Sequence, residues 1–233
     1  MELPFFYEPI LPQEPSVLTV SEQTSKHCIQ VLRMQLGEKI LLTNGLGYLA
    51  EASIITTDKK RMVVQTASAV YKEPEMIQTT LAISFVKNPS RIEWLLEKAT
   101  EIGVAAIIPL ICERSEKTVA KLERWNSILI SAMLQSKQVY KPILHNATTL
   151  KELLAMPFSG ATFIAHCLEG TKPLTQYLPL APHRRVLIGP EGDFTGAEIA
   201  TATDAGYLSL NLGQTRLRTE TAGLVAVTLL QHH

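Results

Sequence analysis

The stretch Arg185-Val186-Leu187-Ile188-Gly189-Pro190-Glu191-Gly192-Asp193-Phe194-Thr195 concentrates residue types that build ligand sites. An apolar run ends in Gly-Pro-acid-Gly. Thr195 and Glu198 then stand at the spacing of a capping box, so the order strand, loop, helix is predicted. Loops of that kind, at the C-terminal ends of parallel strands, are where α/β sheets bind ligands. Gly189 and Gly192 would let the backbone come close to such a ligand. Glu191 and Asp193 repel phosphate, and the Gly-Lys-Ser/Thr ending of a P-loop is missing. A neutral or cationic ligand suits the loop better; an ordinary strand-to-helix turn is the bland alternative.

Leu210-Asn211-Leu212-Gly213-Gln214-Thr215-Arg216-Leu217-Arg218-Thr219-Glu220-Thr221-Ala222 repeats the form: a strand ends at Gly213 and a helix opens near Thr219. Two glycine-bearing loops at adjacent strand ends can close on one small molecule. Ala165-His166-Cys167-Leu168 marks a third strand end. Neighbours along a strand point to opposite faces, so a joint His166–Cys167 metal or nucleophile site carries little weight. Lys87, Arg91 and Lys98 form a basic stripe, which is more often a solvated helix face than a nucleic-acid contact. Lys26, His27 and Arg33 pose the same choice. Gly45-Leu46-Gly47-Tyr48-Leu49-Ala50 imitates a dinucleotide fingerprint but precedes a strand rather than a helix, and is rejected.

These loops need a scaffold, and the chain reads as two halves. Residues 1–72 read as short strands with one helix at about 21–31. Asn44-Gly45 predicts a tight type I′ hairpin, and the whole suggests a small barrel. Residues 73–77 form a charged, proline-bearing linker. From 78 onward strands alternate with helices, the pattern of an α/β domain. Asn88 and Pro89 open one helix and Gly103 closes it. A longer helix is predicted over about 120–140. Thr149 and Glu152 make another capping box. The last helix, about 219–231, is apolar around most of its girth, so burial on two sides and a homodimer through it are expected.

The 233 residues are 46% hydrophobic and 19% charged with net charge zero, which describes a globular chain rather than a disordered one. Any nucleic-acid contact must rest on a local basic face; residues 81–147 hold nine Lys/Arg against six Asp/Glu. Three scattered cysteines without metal-ligand spacing fit a reduced cytoplasmic setting. The opening Met1–Phe5 lacks the basic and apolar segments of an export signal, and no apolar run is long enough to span a bilayer.

Taken together, the three strand ends resemble the SPOUT methyltransferases, and specifically the RsmE family of 16S rRNA (uracil-N3)-methyltransferases. The resemblance covers nearly the whole chain. It is carried by His27 with Val31-Leu32-Arg33, by Lys87 through Val104, and by Arg114-Ser115. Arg124-Trp125, Gln135-Ser136 and Pro142 add to it, and its most specific pieces are Ile188–Gly192 and Leu217–Ala222. It implies a PUA-like RNA-binding β-barrel, an α/β domain tied in a trefoil knot, a homodimer, and S-adenosyl-L-methionine as methyl donor. The implied donor site is His166, Leu187, Ile188, Gly189, Pro190, Glu191, Gly192, Leu212, Gly213, Leu217, Thr219 and Ala222. The implied contacts to 16S rRNA, or to the assembling small ribosomal subunit, are His27, Arg33, Lys87, Arg91, Arg114, Gln135 and Ser136. Arg218 would stabilise charge developing on uracil, with Glu220 a candidate base and no metal. The family usually carries glycine at Asp193 and an acid at Leu134. Methylation of a ribose 2′-hydroxyl and a non-catalytic ribosome-assembly role are the competing readings.

Overall fold

In a computed structural model, residues 3–116 and 120–232 are described. They form two compact units. The first comprises Met1–Pro74 with Met133–Lys141, and the second Glu75–Ala132 with Pro142–His233.

The first unit is a six-stranded sheet. Its strands are β1 (Phe5–Tyr7), β2 (Val17–Thr19), β3 (Lys39–Thr43), β4 (Tyr48–Thr56), β5 (Val63–Thr66) and β6 (Val70–Tyr71). They run in the order β1-β3-β4-β5-β2, with β6 on β4. Alternation along β4 buries Ala50, Ala52 and Ile54 against Ile40, Leu42, Met62 and Val64. Ser21 caps the helix α1 (Glu22–Lys26), which runs on as a π-helical turn to Val31. The hairpin at Asn44-Gly45 is not the tight type I′ turn that the dipeptide predicts. Thr43 pairs with Leu49, leaving a longer loop in which Asn44 Oδ1 accepts the N–H groups of Leu46 and Tyr48. The Asn44 side chain thus takes a partner that a two-residue turn would have given to backbone.

The second unit is a parallel sheet with helices on both faces. Its elements are β7 (Gln78–Ser84), α2 (Pro89–Ile102), β8 (Ala106–Ile111), α3 (Leu122–Gln135, of which Met133–Gln135 belong to the first unit), β9 (Ile143–Leu144), β10 (Thr148–Thr149) and α4 (Leu150–Ala155). They continue with β11 (Ala161–Ala165), β12 (Lys172–Pro173), β13 (His183–Ile188), α5 (Gly196–Asp204), β14 (Leu208–Asn211) and α6 (Thr219–His232). The strand order is β10-β8-β7-β13-β11-β14-β12, with β9 beside β8. Period two sorts the side chains. Leu81, Ile83, Ile107, Phe163, Val186 and Ile188 pack under α2, α3 and α6. Ala82, Ile108, Leu110, Ile164 and Leu187 pack under α4 and α5.

The helix starts follow the sequence signals. Asn88 Oδ1 accepts Ser90 N–H ahead of Pro89, and Gly103 ends α2 in the left-handed region. Capping boxes at Thr149/Glu152 and Thr195/Glu198 open α4 and α5. The helix predicted over 120–140 is shorter. It stops at Gln135 because Lys137 turns to φ 57, where the Lys137 and Gln138 N–H groups fold back on the Leu134 and Met133 carbonyls. Periodicity ran past this point because Val139 is buried too, though not as part of the helix.

Candidate active site

Three loops at the C-terminal ends of β11, β13 and β14 enclose a cleft of about 780 Å³, within the usual range for a small-molecule site. The loop after β11 gives His166, Cys167 and Thr171. The loop after β13 gives Gly189, Pro190, Glu191 and Asp193, and the loop after β14 runs from Leu212 to Arg218. Thr219 and Ala222 of α6 and Arg91 of α2 complete the wall.

The β13 loop is held from both sides. Gly189 lies so close to Phe194 that a Cβ would stand 3.0 Å from the ring, and Phe194 is itself buried in the core under α5. The glycine requirement here is therefore a close approach to the protein's own core. On the far side, an Arg114 Nη donates to the Gly192 carbonyl at 2.7 Å, and Glu113 N–H donates to Glu198 at 2.8 Å. Asp193 occupies the left-handed region at φ 62.

His166 is a structural acceptor and donor at once. Its Nδ1 accepts Leu168 N–H at 3.2 Å, which leaves the proton on Nε2, 3.0 Å from Ser209 Oγ. Burial pulls its pKa below the usual imidazole range, against a smaller opposing pull from Asp193, so the ring is neutral with both nitrogens engaged. Cys167 offers no activated nucleophile: burial, then the Asp193 charge, push its thiol up. Burial also pushes the Cys28 and Cys112 thiols up to about 12. Strand alternation does not separate His166 from Cys167, as the sequence suggests it should. β11 ends at Ala165, and both residues line the cleft.

Charges of both signs meet at the wall. Glu191, Asp193, Arg91, Arg216 and Arg218 all line the cleft. Arg91 stands between two carboxylates, with Nη1 3.7 Å from Glu191 and Nε 3.6 Å from Glu220. Glu220 is only 7% exposed, and its second oxygen, Oε2, is buried with no hydrogen-bond partner. Glu220 is not part of the lining; it meets the cleft through Arg91. The Arg218 side chain is exposed and is free of hydrogen bonds and ion pairs among the described residues.

The cleft thus brings together His166, Ile188, Gly189, Pro190, Glu191, Leu212, Gly213, Leu217, Thr219 and Ala222 from the set named on sequence, with Arg218. It leaves out Leu187, whose side chain points to the opposite sheet face, and Gly192, where an added Cβ would meet Arg114 rather than the cleft. Sequence reasoning missed Arg91 and Thr171 as parts of this wall, and read Asp193 as an acid of the ligand loop without naming it in the donor set. For Arg91 the cleft loops themselves carried no signal, because α2, far upstream of β11 in the chain, supplies it.

The family described as RNA methyltransferase domain matches residues 73–231, and that described as RNA methyltransferase PUA domain matches 20–66. Over 99% of this chain and 97% of that one, the fold is similar to a ribosomal RNA small subunit methyltransferase E from Neisseria gonorrhoeae bound to S-adenosyl methionine. The TM-score is 0.89 at 30% identity. A probable rRNA-methyltransferase from Porphyromonas gingivalis matches 98% of this chain and 97% of that one, with TM-score 0.91 and 35% identity. A curated relative, ribosomal RNA small subunit methyltransferase E of Synechocystis, is 30% identical over 94% of this chain and 74% of its own length. The chain belongs to the ribosomal RNA small subunit methyltransferase E family.

For a member of the small subunit methyltransferase E family, the RNA contacts named on sequence are dispersed. In the first unit His27 is exposed, its ring edge-on to Phe6 at 5.6 Å. Arg33 is exposed at φ 55, Gln135 is exposed at the end of α3, and Ser136 is half-buried with its Oγ accepting from Gln138. The basic stripe of the second unit is not a free cationic face. Lys87 pairs with Glu116 at 2.9 Å, and Lys98 sits between Glu97 and Glu101. Arg91 belongs to the cleft, and Arg114 spends a donor on Gly192. Carboxylates neutralise Lys87, Arg91 and Lys98; the partners of Lys98 are helix neighbours legible from spacing, whereas those of Lys87 and Arg91 come from other segments. Among the described residues, no three His, Cys, Asp or Glu side chains cluster as a metal site. No helix among them is long and apolar enough to cross a membrane.

Proposed function

We propose that this chain transfers the methyl group of S-adenosyl-L-methionine to N3 of a uridine in small-subunit (16S) ribosomal RNA. The observation that carries the reading is the three-loop cleft in a chain of this family, beside a relative of the same fold bound to that donor. The cleft's chemistry fits the donor. Its loops carry carboxylates and no phosphate cradle, and its floor is apolar at Ala165, Ile188 and Leu210.

The bound donor supplies an electrophilic methyl on a positive sulfur. The protein's task is to hold that methyl in line with N3 and to exclude competing geometries. The loops after β13 and β14 grip the donor from two sides. Uracil N3 must first lose its proton to solvent water, which puts negative charge on the flanking oxygens; its lone pair would then take the methyl as the donor's C–S bond breaks, leaving neutral S-adenosylhomocysteine. The Arg218 guanidinium, exposed on the wall, offers donors to one of those oxygens from beside N3. Glu220 serves the same step from behind, keeping Arg91 in the wall. The uridine enters unpaired, because N3 lies on its pairing edge.

In this reading residues 1–72 are the PUA-like RNA-binding barrel, with His27 and Arg33 on the RNA and Gln135 and Ser136 beside it. Residues 73–77 link it to the methyltransferase domain, 78–233, whose chain is tied in the SPOUT trefoil knot. Lys87 reaches RNA from the second unit by exchanging Glu116 for phosphate, and Arg114 by the guanidinium N–H groups that the Gly192 carbonyl does not use. The enzyme works in the cytoplasm as a homodimer through α6, where Leu224, Val225 and Leu229 are only half-buried in one copy. Calorimetry with S-adenosyl-L-methionine tests the donor site, and light scattering at micromolar concentration tests the dimer. Absence of binding, or a monomer, overturns the corresponding part.

A further inference from the structure

Asp193 links two of the loops that form the cleft. Its N–H closes a turn on the Pro190 carbonyl at 2.9 Å, and its backbone leaves that turn at φ 62. The side chain then folds back. Oδ1 accepts Phe194 N–H at 2.8 Å, and Oδ2 accepts Cys167 N–H, 26 residues away in sequence, at 2.9 Å.

The two bonds differ in kind. The bond to Phe194 is local and belongs to the turn. The bond to Cys167 crosses from the loop after β13 to the loop after β11. A left-handed backbone is disfavoured for a residue with a side chain, so glycine would serve the turn better on its own. What the carboxylate adds is the crossing bond, charge-assisted and therefore stronger than a neutral one. The closeness of the two groups also registers on the Cys167 thiol, which Asp193 helps to push up.

We propose that Asp193 is a positioning residue for methyl-donor binding: its carboxylate clasps the β11 loop to the β13 loop and sets the width of the cleft between them. Gly189, Pro190 and Glu191 stand on one side of that clasp and His166 and Cys167 on the other. The inference rests on the reading of this cleft as the donor site. In a clasped cleft the loops are already at donor-binding spacing, so binding need not order them.

The discriminating variant is Asp193→Gly in the full chain, because glycine relieves the backbone while removing the clasp. Asp193→Asn, which tolerates the same backbone and keeps one acceptor oxygen, is the intermediate case. Four quantities are measured: donor affinity by calorimetry, donor KM and kcat on small-subunit rRNA, melting temperature without donor, and hydrogen exchange of the Cys167 amide. For Asp193→Gly the donor Kd and KM should rise about tenfold while kcat at saturating donor stays within about twofold. The Cys167 amide should exchange faster, and the melting temperature should hold or rise. Asp193→Asn should fall between. Native donor affinity in Asp193→Gly overturns the proposal, and so does an unchanged Cys167 exchange rate. A joint fall of kcat and melting temperature at native affinity overturns it as well, since that marks a merely structural residue. If the native chain itself fails to bind donor, the reading of the cleft falls, and the Cys167 exchange rate still decides whether the clasp exists.

Discussion

Replacing Gly189 by alanine probes the donor loop with the smallest possible change. The position has no positive φ, so alanine brings no backbone strain. It brings one methyl group, placed 3.0 Å from Phe194 Cδ2, 3.1 Å from Cε2 and 3.1 Å from the Phe194 backbone nitrogen. Ordinary carbon contacts lie at about 3.5–4.0 Å, so something must move by roughly half an ångström. Phe194 is 2% exposed and packed among Leu187, Ala202 and Tyr207, and the obstructing nitrogen is backbone. The loop therefore gives way rather than the ring. Overpacking of this kind costs about 1–3 kcal/mol, which in a chain of this size lowers the melting temperature by about 2–4 °C per kcal/mol. The displaced segment is the cleft wall, so donor affinity should fall too, by about tenfold if re-seating the loop on the donor costs about 1.4 kcal/mol. Calorimetry and thermal melting of Gly189→Ala measure both. Gly192→Ala is the internal contrast, because its Cβ meets the flexible Arg114 side chain at 3.3 Å, and its effect should be under about 1 kcal/mol. Native donor affinity and melting temperature in Gly189→Ala would refute the close-approach reasoning.

Three further outcomes are expected. Arg218→Ala should lower single-turnover methylation by about two to three orders of magnitude while donor affinity and melting temperature stay near native, and Arg218→Lys should rescue poorly because a point charge lacks the planar fork; a parallel loss of donor affinity would mark Arg218 as a brace. Arg114→Ala should weaken donor binding several-fold, about 1 kcal/mol for one lost hydrogen bond to the loop, and unchanged binding would show that the β13 loop holds itself. Because His166 is held neutral, with its folded pKa depressed by burial, the unfolded chain takes up the proton first as pH falls. The stability this neutral ring contributes is then complete above about pH 6.5 and declines below it. Melting followed from about pH 7.5 to 5 should show a decline that is shallower in His166→Asn, and an identical slope in the two proteins would remove His166 from the account.

Much of the fold was legible because its signals are local. Asn88-Pro89, Thr149/Glu152 and Thr195/Glu198 declare helix starts through side chains that bond within four residues, and each does so in the structure. The cleft loops were legible for the same reason, since glycine and acid follow directly on apolar strands. What sequence did not disclose depends on contacts across the fold. Arg91 read as one member of a basic stripe, because Glu191 and Glu220 lie far from it in sequence. Gly189 and Gly192 both read as glycines for close approach to a ligand, and only the fold shows that Gly189 meets Phe194 and Gly192 meets Arg114. Asp193 read as an acid in a loop, and its bond to Cys167 exists only because β11 and β13 are neighbours. The helix end at Gln135 was missed because Val139 continues the apolar rhythm after the backbone has left the helix.

The central claim is that this cleft methylates N3 of a uridine in small-subunit rRNA. Its most direct test is mass analysis of nucleosides from small-subunit rRNA or assembling subunits lacking the modification, incubated with the purified chain and isotope-labelled S-adenosyl-L-methionine. The account predicts labelled 3-methyluridine from the native protein and a large loss of it from Arg218→Ala. Label in a ribose 2′-O-methyl nucleoside, or no labelled nucleoside from a chain that binds the donor, would contradict it.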